Sequence, residues 1–166
     1  MREPDSRLSL CASFVRQGAR LADIGTDHAY IPIKLAKDNK IIHAIACDIK
    51  QGPLNIAEKN VNKYGFSNII ELRLGAGLEP LSENEVESVV IAGMGGRLMM
   101  KIIDESKELF HSLQGFVIQP QSEYGFVRHF LEDNGFAILK EDMVKEDGKY
   151  YPMMRVSSGE MKLEQE

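Results

Sequence analysis

The chain has no tryptophan and only two cysteines among its 166 residues, and no apolar run that approaches the length of a membrane-spanning helix. Each shortage removes a class of protein. Without a stretch of about eighteen uninterrupted apolar residues there is no helical span to predict. The start "MREPDSRLSL" has no apolar segment ahead of a small-residue cleavage site, so a secretory signal is not expected either, and a cytoplasmic protein is. Cys11 and Cys47 stand far apart in apolar surroundings with no closely spaced Cys or His, which argues against a disulfide framework or a zinc site. They read as small buried hydrophobes, and no metal is expected. Positive charge is also in short supply. A net charge of −5 is not that of a general polyanion binder, because nucleic-acid affinity comes mostly from Lys and Arg neutralising phosphates. What basic excess exists lies at the front, where residues 1–40 hold seven Lys/Arg against five Asp/Glu.

What is present is alternation. "ARLADI", "IIHAIACD", "NIIELRL", "ESVVIAG" and "QGFVIQP" are short apolar, β-branched runs that end in polar or turn-forming residues, as buried parallel strands do. Amphipathic segments separate them. Leu54, Ala57, Val61 and Tyr64 recur at helical spacing behind Pro53, and similar apolar faces run through 97–110 (Leu98, Ile102, Leu109) and 124–134 (Phe126, Val127, Phe130, Leu131). Strand, helix, strand in repetition predicts right-handed βαβ units and one α/β domain, with helices on both faces of a mostly parallel sheet. The pattern changes in "GFAILKEDMVKEDGKYYPMMRV", which reads as two strands turning at Asp147-Gly148, an antiparallel hairpin that closes the sheet. Residues 1–156 therefore read as one domain and 157–166 as a polar tail. Met99, Met100, Met153 and Met154 are expected to fill the core, and so are Tyr124 and Phe126 rather than stacking on a base.

In such a sheet, ligands bind beyond the carboxyl ends of the strands, so the strand ends carry the functional reading. The first end, "DIGTDHAY", has the shape of a nucleotide-binding turn but lacks its second and third glycines. A pyrophosphate needs bared backbone nitrogens around it, and Asp23 and Asp27 would repel one. A dinucleotide oxidoreductase is thereby disfavoured. The turn suits a nucleotide that carries positive charge instead, and S-adenosylmethionine, with its sulfonium and ammonium groups, has that character. Asp48 closes the second strand 25 residues after Asp23, where an acid takes the hydroxyls of a ribose. "LRLGAGLEP" and "VVIAGMGGRLM" add glycine-lined backbone at two further ends. His28 has two readings at this point, a structural one as a helix cap or carbonyl partner and a functional one.

The blocks "LADIGTDHAYIPI", "GPLNIAEKNV", "LRLGAGL", "IAGMGG", "IQPQ" and "EDGKYY" together resemble the TrmK family, tRNA (adenine-N1)-methyltransferases that act on position 22, over residues 6–156. The resemblance implies a Rossmann-like class I methyltransferase fold with a seven-stranded sheet, S-adenosyl-L-methionine as donor and tRNA as acceptor. It implies Asp23, Gly25 and Asp27 around the methionine moiety, Asp48 and Ile49 at the ribose, Gly75, Ala76 and Gly77 at the adenine, and Ala92, Gly93, Met94 and Gly95 as the floor of the methyl-transfer site. Gln119, Pro120 and Gln121 would face the acceptor base, Asp27 with His28 behind it would stabilise charge developing on that base, and Arg7 would belong to the rim that meets RNA.

The sequence departs from the family pattern in three places. Ala76 replaces the usual Asp of "LGDGL", an acceptor for the adenine amine whose loss costs on the order of 1–3 kcal/mol if nothing replaces it. Pro152 falls in the last strand, which needs a strand start or bulge to hold it. The helical C-terminal extension that helps such proteins hold tRNA is not in this sequence, so tRNA binding is expected to be weakened, its affinity either coming from a local basic patch or being weak. Two alternatives stay open: methylation of a small molecule, and a catalytically silent module that binds S-adenosylmethionine.

Overall fold

The computed structural model describes residues 6–159. In chain order the elements are α1 (Ser6–Ser13), β1 (Ala19–Ile24), α2 (Tyr30–Lys37), β2 (Ile41–Asp48), α3 (Gln51–Lys63), β3 (Ile70–Leu74), β4 (Ser88–Met94), α4 (Gly96–Glu105), α5 (Lys107–Ser112), β5 (Gly115–Pro120), α6 (Tyr124–Asp133), β6 (Phe136–Glu146) and β7 (Lys149–Ser158). The five predicted parallel strands form within two residues of the expected ends.

Near-continuous burial makes these strands central. Arg20 is the one exposed residue of β1, and β5 is buried throughout. Such runs are stable only with helices on both faces. One face packs α1, α2 and α3 through Cys11, Ile33, Leu35, Ala57 and Val61. The other packs α4, α5 and α6 through Met99, Met100, Ile103, Phe110, Val127 and Leu131. The four methionines expected in the core are there, each 0–1% exposed.

The seven strands run in the order β3-β2-β1-β4-β5-β7-β6, with β7 antiparallel to both of its neighbours, β5 and β6. The chain winds outward through β2 and β3 on one side of β1, then resumes on the other side at β4, which pairs with β1 from Leu21↔Ser88 to Ile24↔Ile91. The ends of β1 and β4 thus flank the switch in winding direction, where the diverging connections leave a crevice. The hairpin turns at Asp147 (φ 50°) and Gly148 (φ 78°), and two successive positive φ values match the right-handed twist of the strands they join.

The fold corrects several expectations. The helix foreseen over 97–110 is two helices that break at Ser106, whose φ of −129° leaves the helical region. Phe126 is 38% exposed beneath the Arg97 guanidinium, 4.4 Å from the ring centroid, so the inward face of α6 belongs to Val127 and Leu131. Pro152 needs no bulge. The β5 ladder ends at Ile118↔Met154, and Pro152 pairs only with Met143 of β6 in the overhanging ribbon, where its missing N–H interrupts no ladder to β5. β7 continues through Ser158, so the first two residues read as tail are strand, while 160–166 and 1–5 lie outside the described residues.

Candidate active site

Gly25 follows β1 with φ 70°, and a β-carbon on it would lie 2.6 Å from Met94 Cε. The positive φ is what favours glycine there, since the terminal methyl of Met94 can swing aside. The turn it opens is strained further along, since Asp27 (φ 57°) and Ala29 (φ 63°) also adopt left-handed backbone, which is uncommon outside glycine and asparagine. Tertiary contacts hold this shape. The Asp27 N–H donates to Asp48 Oδ2 at 3.0 Å, Thr26 N–H donates to the Cys47 carbonyl at 2.8 Å, and Asn60 of α3 donates to the His28 carbonyl at 2.9 Å. The ends of β1 and β2 are therefore tied together by the candidate site residues themselves.

Asp48 is 8% exposed, and its other oxygen accepts from Lys50 N–H at 3.0 Å. Each carboxylate oxygen keeps a lone pair for a ligand, which is what a pair of ribose hydroxyls needs. Asp23 is 3% exposed and accepts from the Thr26 hydroxyl at 2.8 Å. Burial pushes its carboxyl up to about 7; the Thr26 hydrogen bond opposes that rise and the nearby Asp48 adds to it. A buried acid held near neutrality is a receptor for a ligand cation.

Two cavities meet at Gly25 and Asp27. One, of about 450 Å³, is a slot that begins at Ile24, Gly25 and Asp48, runs past Ile49 and Pro53, and reaches Gly75, Ala76, Gly77, Leu98 and Ile102. Leu98 was expected on a core-facing stripe, yet it is 52% exposed because it forms a wall of this slot. The other, of about 260 Å³, is lined by Arg7, Asp23, Asp27, Tyr30, Ala92, Gly93 and Gln121 among others. Met94 belongs to the first cavity, Ala92 and Gly93 to the second. Gly95 lines neither; it is the N-cap of α4 against the Ser122 hydroxyl.

The trio after β5 divides. Gln119 is 0% exposed, and its amide accepts from Gly93 N–H at 3.1 Å and donates to the Pro120 carbonyl at 3.0 Å. Both ends are engaged, so Gln119 holds the irregularity in β4 at Gly93 and is a positioning residue, not a group facing the cleft. Pro120 is buried as well, and only Gln121 reaches the second cavity.

His28 lies with Nε2 3.8 Å from Asp27 Oδ1 and Nδ1 3.2 Å from the Tyr30 hydroxyl. Its side chain joins an exposed carboxylate to a phenol that lines the second cavity. Tyr30 closes the "DIGTDHAY" block and carries no chemical signature in the sequence that marks it as a site residue. Its signal was position, in the first turn of the helix after the nucleotide turn. Arg7 stands over Tyr151 at 5.5 Å from the ring centroid, and its backbone N–H donates to Glu146 at 3.3 Å, which ties α1 to the hairpin beside this cavity. Among the described residues no three His, Cys, Asp or Glu side chains gather as a metal site, and no helix is long and apolar enough to cross a membrane.

A doubly wound sheet with an acid at the close of β2 and a glycine turn at the switch defines a Rossmann-like nucleotide-binding domain of the methyltransferase type, and the family model for the methyltransferase domain matches residues 5–154. The tRNA (adenine(22)-N(1))-methyltransferase of Bacillus subtilis (strain 168) is 34% identical over 154 residues, which cover 93% of this chain and 65% of that protein. A crystal structure of the B. subtilis m1A22 tRNA methyltransferase TrmK superposes with a TM-score of 0.90 over 96% of this chain and 68% of its own, at 34% identity. A Streptococcus pneumoniae structure in complex with S-adenosyl-L-methionine is 41% identical with a TM-score of 0.92, covering 96% of this chain and 75% of that one. Mycoplasma capricolum TrmK in complex with S-adenosyl-homocysteine is 32% identical with a TM-score of 0.88, covering 99% and 74%. The chain belongs to the TrmK family of methyltransferases.

Proposed function

We propose that this domain binds S-adenosylmethionine and methylates N1 of adenine, with position 22 of tRNA as the acceptor and the cytoplasm as its place of action. The observation that carries the reading is the meeting of two unlike cavities at Gly25 and Asp27. One is a nucleoside-sized slot headed by Asp48, and the other is lined by Arg7, Tyr30 and Gln121. The names of the TrmK relatives support the choice of cofactor and acceptor.

The residues fit the donor. Asp48 has lone pairs left for two ribose hydroxyls, Asp23 is a buried acid for an ammonium group, and the missing side chain of Gly25 leaves room between the cavities. Bound there, S-adenosylmethionine supplies an electrophilic methyl group. Adenine N1 carries its own lone pair, so the protein's task is alignment and exclusion of water rather than proton removal. Gln119 fixes the Gly93 backbone beneath the second cavity, where Asp23 would take the donor's ammonium group, and at its mouth the exposed Asp27 carboxylate offers negative charge where positive charge grows on the base. His28 and Tyr30 orient that carboxylate's surroundings through the contacts at 3.8 and 3.2 Å.

The test is incubation with S-adenosylmethionine and unmodified tRNA carrying adenine at position 22, followed by primer extension, since an N1 methyl blocks the pairing edge. A new stop at that adenine is expected with the native chain and none with Asp48→Ala, in which the Asp27 and Lys50 N–H groups lose their acceptor and cofactor affinity falls by a hundredfold or more, about 3 kcal/mol or above. Cofactor binding without a stop would favour a different acceptor, and retained binding in Asp48→Ala would overturn the site.

A further inference from the structure

One wall of the nucleoside slot is a stripe of α4. Leu98, Lys101, Ile102 and Glu105 all line it, and their spacing of three, four and seven residues puts them on one face of the helix. Ile102 packs this stripe against the loop after β3, since a β-carbon on Gly77 would lie 3.4 Å from Ile102 Cγ2. Ala76, Gly77, Ile102 and Glu105 also border a neighbouring cavity of about 720 Å³, so these four form the partition that ends the slot. A base whose ribose sits at Asp48 presents its far edge to that end. In adenine this edge carries an amine donor beside a ring-nitrogen acceptor. Gly75, Ala76 and Gly77 have no side chain that hydrogen-bonds, and Leu98 and Ile102 are apolar, so side-chain recognition there falls to Lys101 and Glu105. Lys101 Nζ and Glu105 Oε1 stand 4.0 Å apart, too far for a hydrogen bond, and an exposed pair at that separation holds itself weakly. The two groups thus offer one donor and one acceptor side by side, the complement of the adenine edge.

We infer that Lys101 and Glu105 read the amino edge of the cofactor's adenine, Glu105 accepting from the exocyclic amine and Lys101 donating to the adjacent ring nitrogen, so that this pair selects adenine over a 6-oxopurine. The inference rests on the S-adenosyl cofactor reading above and deepens it. A 6-oxopurine reverses both partners. Its oxygen meets the Glu105 carboxylate and its ring N–H meets the Lys101 ammonium, and a site built to pair polar groups rejects most strongly the ligand that leaves them unpaired. Both side chains are exposed in the free protein, so added salt weakens the discrimination.

The experiment is calorimetric titration with three ligands: S-adenosyl-homocysteine, its 6-oxo (inosyl) analogue and its 6-deamino (purine) analogue. On the native chain the parent is expected to bind about tenfold more tightly than the 6-deamino analogue and about thirtyfold more tightly than the 6-oxo one. Glu105→Ala should cost the parent about tenfold and leave the 6-deamino analogue within about twofold of its native affinity. Glu105→Gln, whose amide carbonyl still accepts, should keep a preference of at least about threefold for the parent over the 6-deamino analogue. Lys101→Met should weaken the parent and the 6-deamino analogue alike, by about threefold, because both retain the ring nitrogen. Equal native affinities for these two ligands, or a preference that survives Glu105→Ala, would overturn the role of Glu105, and unchanged affinities in Lys101→Met would remove Lys101 from the reading. Failure of the parent compound to bind the native chain would instead overturn the cofactor reading, so the two failures are distinguishable.

Discussion

Asp23 concentrates the conflict between stability and ligand binding in one side chain. Burial pushes its carboxyl from 3.8 up to about 7, so the folded, ligand-free protein retains a proton that the unfolded chain has released. The native state then binds more protons than the unfolded state between about pH 4 and pH 7, and stability falls as pH rises through that window, by on the order of 4 kcal/mol in all. Above it the loss is complete. Thermal melts of the ligand-free protein are expected to show a falling midpoint from pH 5 to pH 7.5, and Asp23→Asn should flatten that fall and melt higher at pH 8. The same variant should bind S-adenosyl-homocysteine at least about tenfold more weakly, because an amide does not offset the ligand's ammonium charge. A variant whose pH profile runs parallel to the native one would refute the assignment.

At the scale of elements, the loop between β3 and β4 forms the far side of the slot and is stapled from below by one strand residue. Arg73 of β3 donates to the Pro80 carbonyl and to Glu85 Oε2, each at 2.8 Å, and pairs with Glu71 at 3.0 Å. Ser82 N–H also donates to Glu85 at 2.8 Å, so a single carboxylate gathers both ends of the turn. Arg73 first, and Ser82 second, pull the Glu85 carboxyl down to about 2. Because that value lies below the ordinary 4.5, the contribution is present above pH 4.5 and is lost as pH falls toward 2. Arg73→Met should cost about 1–2 kcal/mol in urea melts at neutral pH. It should also weaken S-adenosyl-homocysteine binding about fivefold, since Gly75 and Ala76 would no longer be held against the slot. Lost stability with unchanged affinity would show that the loop is shaped without Arg73.

For the whole molecule, the site depends on β4 and β5 keeping their register behind it. Phe116 of β5 is 1% exposed and meets Phe110 edge-on at 4.9 Å and Phe136 at 5.5 Å between ring centroids, so α5, β5 and β6 share one aromatic cluster. Its removal leaves a cavity that rigid sheet neighbours cannot fill. Phe116→Ala is expected to cost about 3–5 kcal/mol. A denaturant midpoint displaced by less than a quarter of that energy would mean the cluster is not central to the fold.

The sequence by itself determined the strands, the hairpin turn at Asp147-Gly148, the doubly wound architecture and the acids at two strand ends, because these follow from local periodicity and turn chemistry that short stretches carry on their own. It also carried the family motifs. Only the tertiary structure decided which side chains face a ligand. Gln119 reads as a group at a strand end, but its burial and its bond to Gly93 N–H come from β4 lying beside it, 26 residues earlier in the chain. Leu98 and Phe126 read as core at helical spacing and are exposed because the neighbouring surfaces are a slot and an arginine. Tyr30 joins the site through His28, and Ala76 lines the slot only because Ile102 and Glu105 of α4 line it as well. Periodicity records which face of an element is apolar; whether that face meets protein or ligand is settled by elements distant in sequence.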